Sequence, residues 1–226
     1  MENLIFEDEK GALNCTEKEV VSFNSGIPCF GYFPNREAEG NLHWSYRAFP
    51  RILPENYRSS PYYDFRAEPG GINGSGFFSM LLPAVKEKMD VHLQWDMSKM
   101  PQGSRGIFSF GEGEIKRTMT VMDLGFSLFT VGQIHAVENE SFGVYYLSEP
   151  EFEIQKIVEK LIPIFQFEKE YFHDFNAYFK VFLRRDPFRI SNGGSACRYA
   201  FISGYSAFGG FDSDKWFNTL IHEMTH

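Results

Sequence analysis

Residues His222-Glu223-Met224-Thr225-His226 form an H-E-x-x-H pattern. On a helix, residues four apart are neighbours, with β-carbons about 5–6 Å apart. His222 and His226 would therefore converge on one ion, and neutral imidazoles suit zinc at about 2.0–2.1 Å. Glu223 follows the first histidine directly. A carboxylate there stands beside the ion rather than on it, placed to take a proton from water that the ion polarises. This is the chemistry of peptide-bond hydrolysis. A third protein ligand, from a later helix or a continuation of the motif, would fall after residue 226. The expectation is two imidazoles and a base, with uncertain zinc occupancy and little hydrolysis by residues 1–226 alone.

The other candidates carry less. His43 and His92 fall in strand-like runs and read as surface or core residues. His135 has Glu138 nearby, a spacing read as incidental. His173 and Asp174 are adjacent and so point in different directions. Cys15, Cys29 and Cys197 include no C-x-x-C pair. Neither a thiolate metal site nor a disulfide scaffold is expected from them, but reduced thiols. The stretch GGINGSG at 70–76 lacks the Lys-Ser/Thr ending and following helix of a phosphate loop, so it reads as a turn. Gly111-Glu112-Gly113 reads the same way.

The motif needs a packed helix to position it. Asp212 or Ser213 can cap one, and Trp216, Phe217, Leu220, Ile221 and Met224 supply its apolar positions. Ala196–Ser203 reads as a strand, antiparallel to one over Tyr178–Leu183. Arg184–Gly194 and Gly204–Gly210 read as loops. Further back, Ile154, Ile157, Val158, Leu161 and Ile162 recur at helical spacings of three and four. Pro163 is expected to end or kink that helix. Before Pro150 short apolar or alternating runs dominate: Val20–Phe23, Leu42–Ala48, Phe77–Leu82, Val91–Trp95, Gly106–Phe110, Lys116–Met122, Ser127–Val131 and Gly143–Leu147. Many short strands separated by turns suggest a sandwich. The expected fold is mainly β plus α+β, with an N-terminal β-sandwich at 1–150 and an incomplete catalytic segment at 151–226.

Composition agrees and excludes. The 25 Phe and 11 Tyr among 226 residues favour strands. A net charge of −8 argues against a nucleic-acid partner, which needs a basic face. No run reaches the roughly 18 apolar residues of a membrane span. The acidic start MENLIFEDEKG lacks the basic end and long apolar stretch of a signal peptide, which makes the cytoplasm the expected location.

A β-rich amino-terminal part, a strand pair and an H-E-x-x-H helix together resemble the gluzincin aminopeptidases, with their thermolysin-like catalytic domain. Within these the chain looks most like the glycyl aminopeptidase family, whose members often carry a PDZ domain further on. The resemblance spans roughly residues 75–226. It rests on His92-Leu93-Gln94-Trp95-Asp96-Met97-Ser98 with Pro101, Gly103 and Ser104, on Phe110-Gly111-Glu112-Gly113, and on Gly193-Gly194-Ser195-Ala196 before the metal helix. It implies zinc on His222 and His226, Glu223 as general base, and a peptide substrate lying along Gly193, Gly194, Ser195 and Ala196. An extended peptide would pair with that edge through main-chain hydrogen bonds. The acidic residue that accompanies the glycines in better-known aminopeptidases is missing here. The rival expectation is a non-enzymatic β domain that binds a peptide, sugar or protein partner, with a degenerate peptidase segment. Self-association through apolar surface that further helices would cover is also expected.

Overall fold

The computed structural model describes residues 1–21, 26, 28–53, 63–187, 193–197, 199–210 and 212–225. The chain divides into two compact units, Met1–Phe49 with Pro83–Lys86, and Pro50–Leu82 with Glu87–His226.

The first unit is built from five strands: β1 (Glu2–Asp8), β2 (Gly11–Ala12), β3 (Cys15–Val21), β4 (Pro28–Pro34) and β5 (His43–Arg47). β1 lies between β2 and β5, and β3 pairs with β4, all antiparallel. Asp8 anchors the loops. It accepts from Arg36 Nη2 at 2.9 Å, from the Glu39 amide at 2.9 Å and from the Lys10 amide at 3.0 Å. The Arg36 guanidinium foremost holds its carboxyl well below the usual range. Of the expected run Val20–Phe23, Val20 and Val21 lie in β3; residues 22 and 23 fall outside the described residues.

The second unit contains β6 (Arg66–Glu68), β7 (Gly71–Ser75), α1 (Gly76–Ser79), β8 (Met89–Leu93), β9 (Arg105–Phe108), β10 (Gly111–Glu112), β11 (Ile115–Met119), α2 (Val121–Gly125) and β12 (Leu128–Gly132). There follow β13 (His135–Glu138), β14 (Phe142–Tyr146), α3 (Ile154–Tyr171), β15 (Phe179–Asp186), β16 (Gly194–Cys197), β17 (Ala200–Ser206) and α4 (Ser213–Thr225). One sheet has the order β10-β9-β12-β7-β6, and β8 pairs with β11. A mixed sheet has the order β13-β14-β15-β17-β16, with β14, β15 and β17 parallel.

These elements stack in layers. Phe108, Phe129 and Val131 of the first sheet pack with Ile115 and Leu93 of the β8–β11 ribbon, as a sandwich requires. Ile107 and Leu128, from the same sheet's other face, meet Tyr145, Phe182 and Ile202 of the mixed sheet. The mixed sheet's far face carries Val144, Val181, Leu183 and Phe201 against α3 and α4. Val158, Leu161 and Leu220 are wholly buried there. Each such side chain contributes roughly 1.5–3 kcal/mol by leaving water. The architecture is thus mainly β, with α3 and α4 on one face of the mixed sheet. Among the described residues no helix is long and apolar enough to cross a membrane.

Several expectations need correction. Gly204–Ser206, read as loop, end the strand β17, and Gly111–Glu112, read as turn, form β10. GGINGSG is not a turn: Gly71–Ser75 is an interior strand of the first sheet. The glycines serve close backbone approach, since a Cβ on Gly71 would lie 2.1 Å from the Val131 carbonyl oxygen. Within Phe77–Leu82, expected as a strand, residues 77–79 are helical in α1. Arg184 and Asp186 are not loop residues but the end of β15, both buried, Arg184 paired with Asp64 and Asp186 with Arg66. Ala196–Ser203 is a hairpin rather than one strand, turning at Tyr199 with φ of 64°. Its second arm therefore runs parallel to β15. Of the two outcomes expected at Pro163, an end does not occur: α3 continues to Tyr171. The proline sits on the exposed face, where the carbonyl left without a donor meets water.

The sheet also crosses residue 150, with β13 and β14 before it and β15 to β17 after. A parallel pair needs a long crossover. The change of pattern at Pro150 marks that crossover, α3, between β14 and β15.

Candidate functional site

Two neighbouring elements bring the chemistry together, α4 and the hairpin β16–β17. Asp212 caps α4, accepting from the Lys215 amide at 2.9 Å. Trp216, Leu220 and Met224 form its buried stripe against the mixed sheet. The Trp216 indole donates to Ser203 Oγ on β17 at 2.8 Å, which fixes the helix's rotation on the sheet. That rotation leaves His222 exposed and Glu223 half-buried. His226 lies outside the described residues. Among the described residues no three His, Cys, Asp or Glu side chains are grouped to hold a metal ion. An exposed imidazole next to a half-buried carboxylate is compatible with part of a zinc site.

β16 ends the mixed sheet among the described residues. The Gly193 carbonyl accepts from the Gly204 amide at 3.0 Å, so residue 193 faces inward to β17. Antiparallel pairing alternates, so Ser195 also faces inward while the main-chain groups of Gly194 and Ala196 face outward. Of the sequence-predicted residues, Gly194, Ser195 and Ala196 lie in this end strand and Gly193 stands just before it. The reason for glycine at 194 is internal, however. A Cβ there would lie 2.1 Å from the Phe201 ring and 2.5 Å from the Ile202 carbonyl oxygen.

Sequence reasoning missed Tyr63, in the loop before β6. Its hydroxyl donates to the Ala196 carbonyl at 2.7 Å. Burial pushes that hydroxyl up to about 12; contact with Ser195 opposes the rise, while Cys197 and the Glu223 charge add to it. Tyr63 is therefore held against the edge strand. Burial likewise raises the Cys197 thiol to about 12, which keeps it a neutral, unreactive group. A lone tyrosine 160 positions before Glu223 offers no spacing signal.

Beneath Tyr63 lies a second feature that the sequence reading missed. Asp64 binds Arg66 Nε at 2.8 Å and Arg184 Nη1 at 2.8 Å. Arg66 also donates to Asp186. All four side chains are buried. Arg184 and Asp186 stand two apart on β15, which puts them on one face, but nothing in the sequence ties them to Asp64 and Arg66. The remaining histidines lie elsewhere. His92 contacts Glu114 at 2.7 Å on the surface, and His135 stacks on Tyr146, with Glu149 rather than Glu138 as its carboxylate neighbour.

No protein-family model matches the sequence, and a search of curated proteins returns no match. Solved structures do resemble it. An aminopeptidase N family protein from Idiomarina loihiensis aligns with a TM-score of 0.59 at 11% identity, over 99% of this chain and 38% of that one. A yeast LTA4 hydrolase solved with bestatin aligns with a TM-score of 0.54 at 10% identity, over 99% of this chain and 37% of that one. At such identities the likeness is one of fold. The chain spans less than two-fifths of the length of either protein.

Proposed function

We propose that this chain supplies the β-rich part and the first catalytic elements of a zinc-dependent, aminopeptidase-like peptidase. One observation carries the reading: a half-buried Glu223 follows an exposed His222 on a helix locked to β17, the strand that pairs with the edge strand β16. The fold shared with an aminopeptidase N family protein supports it. His222 and His226 would hold the metal, with a further ligand from outside residues 1–226. Zinc, when bound, supplies a Lewis acid for the scissile carbonyl and acidifies water. Glu223 takes the proton from the attacking water and returns it to the leaving amine. The outward main-chain groups around Gly194 orient the peptide by strand addition. The stretches 92–104, 110–113 and 193–196 add a narrower proposal, a glycyl aminopeptidase.

Zinc titration and hydrolysis of aminoacyl anilides test this reading. The 226-residue chain should bind zinc, His222→Ala should weaken that binding at least tenfold, and Glu223→Gln should leave it unchanged. Hydrolysis by residues 1–226 should be very slow and lost in Glu223→Gln. Absence of zinc binding would overturn the metal site and favour a non-enzymatic binding domain. Rapid turnover by this chain would show that two imidazoles suffice.

A further inference from the structure

Tyr63 stands where it can decide how much of the β16 edge a peptide reaches. Antiparallel alternation leaves four outward main-chain groups on this strand, the N–H and C=O of Gly194 and of Ala196. One of the four is already taken, because the Tyr63 hydroxyl donates to the Ala196 carbonyl. The tyrosine is held from several sides. Its own carbonyl accepts from Ser75 Oγ at 2.7 Å, and its ring meets Phe126 edge-on with centroids 6.2 Å apart. It packs against the cluster that contains Ala200 and Ile202 of β17. The next residue, Asp64, belongs to the buried ion-pair cluster with Arg66 and Arg184. A side chain so anchored is a fixed wall rather than a mobile cap.

We propose that Tyr63 is a positioning residue that closes one end of the β16 edge, so that a peptide pairs only around Gly194 and extends no further past Ala196. The assignment rests on the edge-strand part of the function proposed above. It deepens that reading by giving the site a length limit: the bound peptide has one end against the Tyr63 ring. The consequence is exopeptidase-like rather than internal cleavage.

The test uses trialanine and hexaalanine as probes of the 226-residue chain by titration calorimetry, which needs neither zinc nor turnover. The chain should bind both peptides within about twofold of each other. Tyr63→Ala, which removes wall and hydroxyl, should bind hexaalanine about fivefold tighter than trialanine, the effect of one added main-chain hydrogen bond. Tyr63→Phe keeps the wall and should retain the original ratio. An unchanged ratio in folded Tyr63→Ala overturns the assignment. A second measurement needs no variant: saturating hexaalanine should shift the Gly194 amide resonance and leave the Ala196 carbonyl resonance in place. Movement of that carbonyl also overturns the assignment. If no protein binds either peptide, the edge-strand reading fails and the role of Tyr63 with it, while the zinc measurements judge the metal site separately.

Discussion

Among the described residues, Arg184 is the largest side chain that the fold buries completely, at 1% exposure, and it is charged. Isolated, such a charge would be prohibitive. It survives because Asp64 accepts from its Nη1 at 2.8 Å and Asp186 lies 3.6 Å from its Nε, with Arg66 completing a set of two positive and two negative groups. Replacing Arg184 with Met would strand the surplus carboxylate. We expect Arg184→Met to lower the unfolding free energy by about 3–5 kcal/mol in urea titrations. The double variant that also replaces Asp64 with Asn should recover much of that loss. At this scale the sequence was legible only in part. Glu223 and His222 were readable because a helical spacing carries their meaning. The ion-pair cluster joins residues 120 positions apart, and that distance leaves no trace in local pattern.

At the scale of elements, the edge strand β16 is defined by what it packs on. The Phe201 ring, 1% exposed, occupies the place where a side chain on residue 194 would stand. Gly194→Ala should therefore push β16 away from β17, lowering stability by about 1–3 kcal/mol. Amide exchange should accelerate across residues 194–197 while α3 stays protected. Equal acceleration throughout the mixed sheet would mean that the strand is not a separate element. The amphipathic pattern of α3 was plain from Ile154, Val158 and Leu161. Its passage through Pro163 was not, because whether a proline breaks a helix depends on which face meets water. Gly71–Ser75 was misread for a related reason. Glycines mark turns in most local contexts, but here they let two strands and a helix start come close.

At the scale of the whole molecule, Glu68 couples stability to pH. Its carboxylate accepts from the Arg185 amide at 3.0 Å and from Asn73, which ties β6 to β15 and to β7. Burial raises it from 4.5 to about 7, against those hydrogen bonds and the Arg184 charge. The folded chain therefore holds this proton more tightly than the unfolded chain. Its stabilising contribution is complete below pH 4.5 and is lost as pH rises towards 7. The melting temperature should fall over that window, by the equivalent of up to about 3 kcal/mol from this group. Glu68→Gln should flatten the slope. Asn73 Oδ1 is buried without a hydrogen-bond partner and can accept from the new amide. A slope unchanged in Glu68→Gln would assign the pH dependence to other groups.

The sequence by itself determined what is periodic or locally encoded: the helical spacing of His222, Glu223 and His226, the apolar stripe of α4 and the dominance of short strands. Each depends on residues within a turn or two of one another, and short-range geometry suffices to read them. Only the tertiary structure decided that β16 is an edge, that Gly194 and Ala196 face outward, that Tyr63 occupies one of their carbonyls, and that four buried charges sit beneath it. Those facts depend on register between strands and on contacts across more than a hundred residues. They are fixed by which faces can be buried together, and no local pattern carries that information.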